Sequence, residues 1–577
     1  MCFSVFTPLG RRPELIPLKR FVTSKISFLA AVLSVGFGLE AAEPPLQALI
    51  PAPVAGWLNH RFHPETVQVR EVRGIAERIK DGHLALTIRE FLELVLRNST
   101  DINMTRLDVY TAAESVKSST AVFDPSVSMG FNTVRAVSPQ FSQIAGASTL
   151  SSLNQNSNIS FQQLLPTGQN GSIGFSTSRN STNSAFNLFN PSISGALNFS
   201  LTQPLLQNRN RIQFQGPQQI ARTQLVITSR QSEARIADLV AQAAGQYWDA
   251  VRARDNIKVL EQTLALAKKS FERDKLALDL GALASLDILQ SETQVAERKR
   301  DLVQAQYAYR SSLDGLRRLM GADLSPDTRA VEIVLGDDPS VLPGREKILP
   351  YEEALTAALR VRPEMDAAHR RVTVDDLNAR IARNLMTPRL DLSVQGSGLG
   401  LAGRHVVTNN GLGIGAGPAV SGGLSDTLGQ IFGFNTPTYG ASLQLTLPIK
   451  STAARVQLAD ALISRTRDQY AERQVQQQII QDVRLTLNAL DLAKAGIEAA
   501  TFARDLARRN VEAEQQKYEL GTISAFELLD SQSRLSASES AVLNAQVAYQ
   551  QAFVGYERAT WSLLEGLGMV LEVPKAR

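Results

Sequence analysis

Glu527 and Asp530 are the residues whose types and spacing first suggest chemistry. At i and i+3 they share one helix face. Crowded carboxylates repel unless one is protonated or a cation pairs them. The plain alternative is a solvated helix face, since exposed acidic residues are common. Little else in the chain is reactive. The single cysteine, Cys2, lies where a targeting segment would be, which leaves no disulfide, thiolate metal site or cysteine nucleophile downstream. His60, His63, His83, His369 and His405 are scattered. No catalytic triad, metal spacing or buried acid pair stands out, so the chain reads as a non-enzyme with no metal and no cofactor. The run Gly411–Gly417 superficially looks like a nucleotide loop. It has no following helix and is trailed by Pro418, so it reads as an exposed loop between strands.

The elements that must position the acidic pair are long helices. Residues 218–325 and 449–573 contain no proline and are rich in Ala, Leu, Gln, Arg, Glu and Asp, mostly good helix formers. Leu260, Leu264, Ala267 and Phe271 form a narrow apolar stripe, and Ile479, Val483, Leu487, Leu490 and Ile497 form a second, at coiled-coil spacing. Gly281 and Gly521 each interrupt a run, as helix stops. The helices before them are expected to start near Gln218 and Lys450 and to reach roughly 90–100 Å. Helices so long with so thin a stripe must pack on each other or on other subunits. Tyr247 and Trp248 are expected in the helical core.

The intervening segments differ in character. Residues 151–200 hold 21 Ser or Asn and one charge, Arg179. That composition alone suggests a disordered linker, but the period is two. Val127, Met129 and Phe131 alternate with small polar residues, as do Ile159 and Phe161, Ile173 and Phe175, Leu197 to Leu201, Leu390 to Val394, and Tyr439 to Leu447. These are expected strands of about ten residues with one apolar and one neutral polar face. A membrane β-barrel needs that pattern. The chain of 577 residues has a mean hydropathy of −0.10 and no 18-residue apolar run, which argues against membrane helices but not against a barrel.

Residues 1–42 read as a signal peptide, with Arg11, Arg12, Lys19, Arg20 and Lys25 before an apolar stretch from Ile26 to Leu39. They carry most of the +4 formal charge, so no basic patch for nucleic acid is expected after cleavage. Residues 43–85, with Pro44, Pro45, Pro51 and Pro53, read as an N-terminal extended arm. The remainder reads as two copies of one unit, 86–348 (strands about 125–203) and 349–568 (strands about 388–448), with a tail at 569–577. Each copy is expected as a helix of about 35 residues, strands, a long helix, a turn and a long helix. Pro125 and Pro388 open the strands, and Pro204 and Pro448 close them, positions that suit a residue without a donor.

On these residues the chain resembles the TolC-like outer membrane efflux family, over about 86–568. The resemblance is carried by Ala121-Val-Phe-Asp-Pro125, Gln203-Pro204-Leu205, Tyr247-Trp248 and the two glycine-containing tips, in that order in a duplicated chain. It implies a membrane protein, mainly α with β: a homotrimer whose strands close one outer-membrane β-barrel, continued by a long α-helical barrel through the periplasm. It implies partners, namely a periplasmic adaptor (membrane fusion) protein and an inner-membrane transporter. The function implied is an exit duct of a tripartite efflux pump or type I secretion system, gated at the helix tips. The first copy departs from the family: it shows four strand candidates where two are usual, the extra pair flanking Leu164-Leu-Pro-Thr-Gly168.

The resemblance also implies roles. Glu527 and Asp530 match acidic aperture positions. Tyr518 and Asp287 match a tyrosine and an aspartate that tie neighbouring helices in the closed state. The family commonly has an arginine two residues after the second tip glycine; here that residue is Ile523. Leu280, Gly281, Ala282 and Leu283, with Leu520, Gly521, Thr522 and Ile523, resemble adaptor-docking turns. The rival reading is a periplasmic coiled-coil adaptor or scaffold without a channel, which would need a compact soluble β-domain and one helical hairpin. The transported substrate is not written in the sequence.

Overall fold

A computed structural model describes residues 68–139, 148–184, 187, 189–209, 211–280, 285–342, 348–405, 422–520 and 522–566. The expected signal peptide, most of the arm, Gly281 to Leu283, Gly411 to Gly417, Gly521 and the tail lie outside the described residues. Within the segment read as an extended arm, Ile75 and Leu84 are buried in the core. Strand β1 (His83–Leu86) leads into helix α1 (Ile88–Asn98) through a capping box. The Thr87 side chain accepts from Glu90 N–H, and the Glu90 carboxylate accepts from Thr87 N–H at 2.9 Å. Helix α2 (Thr100–Ser118) follows after a break at Ser99, whose ψ is 127°.

The strands come next: β2 (Ser126–Pro139), β3 (Thr149–Leu164), β4 (Asn170–Thr182) and β5 (Phe189–Pro204). Helix α3 (Ile212–Asp279) and helix α4 (Ser285–Met320) form the first long hairpin. A short helix α5 (Pro326–Arg329) precedes β6 (Glu332–Leu335), which pairs in parallel with β1. Helix α6 (Tyr351–Val361) breaks into α7 (Pro363–Asn384). Strand β7 (Arg389–His405), helix α8 (Leu424–Phe432) and strand β8 (Pro437–Thr446) follow. Helices α9 (Thr452–Glu519) and α10 (Ala525–Ala559) form the second hairpin, and α11 (Leu563–Gly566) ends the described chain.

Two expectations about helices need correction. The single helix of about 35 residues before each strand region is two helices. In the second case Pro363 forces Arg362 out of helical geometry, at ψ 128°. The first long helix starts at Ile212, not near Gln218, and keeps Pro217 inside it. That proline deletes one hydrogen bond in the second turn, which 62 further residues of helix absorb. Helices α3 and α9 have 68 residues each, about 100 Å at 1.5 Å per residue.

Six strands form one antiparallel sheet in the order β2-β3-β4-β5-β7-β8. Its faces follow from the register. Val127, Phe161, Ile173, Phe199, Gly396 and Tyr439 lie in one row across all six strands. The next row, on the opposite face, is Ser128, Ser160, Gly174, Asn198, Ser397 and Thr438. On the polar face Ser128 bonds Ser160 at 2.6 Å, and Ser172 bonds Ser200 at 2.7 Å. Charges on that face are confined to the helix-joined end, where Arg389 pairs with Asp391 at 2.6 Å. The apolar face carries Arg135, Arg179 and Arg404, all towards the far end. The β3–β4 turn sits at the helix-joined end. Gly168 has φ +88°, and a Cβ there would lie 2.4 Å from the Phe214 ring of α3. The extra strand pair is therefore a hairpin inserted in the sheet, its turn packed on the helical part.

Helix α8 covers the end of β7 that β8 leaves unpaired. Gln430 donates to Leu401 C=O at 3.0 Å and accepts from Leu401 N–H at 2.9 Å, replacing the missing ladder bonds. Gly400 is required there: a Cβ would lie 2.3 Å from the Thr427 carbonyl oxygen.

The core of the helical part joins the first hairpin to α1, β1 and β6. Tyr247 and Trp248 pack edge to face at 5.8 Å within it. The Tyr247 hydroxyl lies 2.5 Å from Asp337 Oδ2, which also accepts from Ile88 N–H at 2.6 Å. Burial, then that carboxylate, raise the Tyr247 phenol pKa far above its ordinary value. Ile479, Val483 and Leu490 of the second stripe are buried against Tyr549, Phe553 and Tyr556.

Candidate functional site: the helix tips

Helix α10 starts at Ser524, whose side chain accepts from Glu527 N–H at 3.4 Å while Glu527 Oε2 accepts from Ser524 N–H at 3.0 Å. Ser524-Ala-Phe-Glu527 is thus a capping box, a signal present in the sequence that the acidic-pair reading passed over. The Glu527 carboxylate serves its own helix terminus, where negative charge also suits the macrodipole. Asp530, one turn on, pairs with Arg534 at 2.9 Å on an exposed face. The two acids share a helix end, and each has a partner within the chain.

Tyr518 is the last-turn residue of α9 that reaches across. Its hydroxyl donates to Asp274 Oδ1 of α3 at 2.9 Å. Asp274 is 1% exposed and also accepts a hydrogen bond from Ser291 of α4. The neighbouring Arg273 guanidinium lies 3.5 Å from the same carboxylate and 4.3 Å from the Tyr518 ring centre. Burial, then the bond to Asp274, raise the Tyr518 phenol pKa. Three helices therefore meet on one buried carboxylate, and Arg273 supplies a cation although Ile523 does not. Asp287 lies on the first turn of α4; its side chain is outside the described residues.

A matching contact exists in the second hairpin. Ser531 of α10 donates to Glu514 of α9, and Asn510 donates to Glu514 at 3.1 Å. Asp274 and Glu514 stand seven residues before Gly281 and Gly521, and Ser291 and Ser531 stand ten after them. That recurrence is legible in the sequence, as an acid and a serine at fixed distances from each tip glycine.

Among the described tip residues, two leucines are uncovered within the chain. Leu280 is 76% exposed and Leu520 79%. Thr522 turns the chain by donating its N–H and hydroxyl to Lys517 C=O, both at 2.9 Å. Between α4 and α10 a groove of about 350 Å³ is lined by Leu289, Thr293, Phe526, Leu529 and Asp530. Pro125, Pro204, Pro388 and Pro448 all lie at the helix-joined edge of the sheet, within two residues of the ends of β2, β5, β7 and β8. Among the described residues no cluster of three or more His, Cys, Asp or Glu has metal-ligand geometry.

Comparison with known proteins places this geometry. The family model described as "Outer membrane efflux protein" matches residues 91–322 and 354–560. The outer membrane protein TolC of Vibrio cholerae is 21% identical over 380 residues, 65% of this chain and 77% of that one. The Campylobacter jejuni CmeC outer membrane channel superposes with a TM-score of 0.57 at 13% identity, covering 92% of this chain and 94% of that one. VceC, an outer membrane protein of Vibrio cholerae, gives 0.58 at 14% identity over 84% and 97%. At these identities the solved structures speak to the fold.

Proposed function

Because the chain belongs to the outer membrane efflux protein family, we propose that it is the outer-membrane exit duct of a tripartite efflux pump or type I secretion system. Efflux-channel function and outer-membrane localisation come with the family. The finer reading is our own. Three copies close one β-barrel with their sheets and one periplasmic tunnel with their helices. The chain is two copies of one unit, 86–348 and 349–568, behind a signal peptide and a leading segment whose end, from Ile75 to Leu84, joins the helical core. The tips at Leu280–Leu283 and Leu520–Ile523 dock on a periplasmic adaptor, which links the duct to an inner-membrane transporter.

One observation carries this. A sheet with an apolar face and a polar face whose charges are the paired Arg389 and Asp391 is joined at one edge to paired helices of about 100 Å. Lipid suits the first face and water the second, while the helices reach away from the membrane. Glu527 and Asp530, repeated around a threefold axis, form acidic rings at the far helix ends, and Tyr518 with Asp274 or Asp287 holds the helices closed. No covalent chemistry is needed: a passive duct moves cargo by diffusion, and a constriction controls it. Purified full-length protein in a planar bilayer should show discrete, cation-preferring conductance steps with long closed periods. A protein soluble without detergent and silent in bilayers would overturn the duct and favour the scaffold.

A further inference from the structure

The extra hairpin changes the barrel. We propose that three copies of this chain close an eighteen-stranded barrel, with a lumen wide enough for bulky hydrated cargo. The proposal rests on the three-copy reading above and adds the width.

The six-stranded sheet is open: β2 and β8 stand at its two ends and do not pair with each other within the chain. The sheet accordingly ends in two uncovered edges: all ten residues of β8 and nearly all of β2 are exposed. An exposed strand edge is a row of unmet backbone donors and acceptors. These two edges are complementary. The strand count is even and every neighbouring pair is antiparallel, so β2 and β8 run in opposite directions. The β8 edge of one copy can therefore pair antiparallel with the β2 edge of the next, and the ring closes without a mismatch. The apolar parity also carries across: Val127, Met129 and Phe131 meet Tyr439, Leu443 and Leu445 on the same face.

The β3–β4 hairpin belongs to this wall. It pairs along 14 residues with β2 and along 11 with β5, and its apolar and polar rows are continuous with those of both neighbours. Its turn lies at the helix-joined edge, where barrel turns are short. A hairpin folded away as an external loop would have none of these features.

At a strand spacing of about 4.8 Å and a tilt of about 40°, eighteen strands give a backbone diameter of about 36 Å, against about 24 Å for twelve. With side chains about 5 Å deep on each wall, the opening is about 25 Å. The polar face is mainly Ser, Asn, Gln and Thr, with Leu399 and Leu401 towards its far end, and its charges among the described residues are one self-paired Arg389–Asp391 at the helix-joined end. Such a lumen discriminates little by charge and admits solutes the size of a small folded polypeptide.

Strand counting by electron microscopy of the full-length protein in nanodiscs tests the proposal, with eighteen strands expected. Copy number is read separately. Met129→Cys is combined in turn with Tyr439→Cys, Ala441→Cys, Leu443→Cys and Leu445→Cys, in a chain whose only other cysteine, Cys2, is replaced by Ser. One combination should give a disulfide ladder ending at three chains. Three chains with twelve strands would overturn the width and leave the duct standing. A ladder ending at two would overturn the three-copy reading itself. Deleting residues 149–182 should narrow the outer mouth, so that polymers which enter the intact channel from the outer side are excluded. An unchanged polymer cut-off at the outer mouth would overturn the hairpin's place in the wall. If that variant does not fold, the strand count on the intact protein decides.

Discussion

Tyr518 donates a 2.9 Å hydrogen bond to Asp274, 244 residues earlier in the chain. The bond joins the end of one 68-residue helix to the other, and Ser291 brings in a third helix at the same carboxylate.

Tyr518→Phe removes this bond and leaves the ring. A hydrogen bond to a charged group is worth about 1.5–3 kcal/mol, so the closed state should lose about ten- to hundredfold in population. Single-channel recordings should show higher open probability for Tyr518→Phe, with a similar change for Asp274→Asn. Recordings indistinguishable from wild type would remove these residues from the lock.

Glu527→Gln with Asp530→Asn should reduce block by divalent cations and raise conductance with little change in thermal stability. Gln still accepts the Ser524 N–H, so the cap survives without its charge. Glu527→Ala should also cost about 1 kcal/mol of stability through the lost cap. If the neutral amides leave cation block intact, the acidic rings are not the aperture.

Asp482 lies between two guanidinium groups, 3.1 Å from Arg362 and 3.3 Å from Arg558, and Arg362 is 4% exposed. Asp482→Ala removes a carboxylate from each arginine, leaving Arg362 on Glu364 at 2.8 Å and Arg558 on Asp238 at 2.6 Å, and should destabilise the helical part by about 1–3 kcal/mol. A lower unfolding midpoint by circular dichroism in detergent is the expected result; an unshifted midpoint would mean that Asp482 adds nothing to the pairs Arg362–Glu364 and Arg558–Asp238.

Asp375 titrates high. Burial, then the facing Asp468 carboxylate, push it from 3.8 to about 6, against the opposing Arg467. Its folded state keeps a proton that the unfolded chain releases near 3.8. The associated stability is therefore complete below about pH 4 and lost as pH rises through about 6. Asp375→Asn should flatten that part of the profile in thermal melts between pH 4 and 7. An unchanged slope would place the titration elsewhere.

The readable and unreadable parts divide by distance along the chain. Val127, Met129 and Phe131 announce a strand because alternation is a property of a few neighbouring residues. The capping box Ser524–Glu527 is equally local, and the same glutamate serves both the box and the i, i+3 acidic pair. The break at Arg362 follows from Pro363, yet the parallel break at Ser99 has no proline to mark it. The four-residue strands β1 and β6 are too short for any period to show, and they pair across 249 residues of chain.

What the sequence by itself determined is the two-population character of the protein. Charged, proline-free runs make long helices, and uncharged alternating runs make a two-faced sheet, because helix and strand periods are local. What only the tertiary structure decided is which partners meet: Asp274 with Tyr518, the β3–β4 hairpin as part of the wall, Glu527 turned to its own helix end. Those choices depend on register and packing between distant segments, and no local period encodes them.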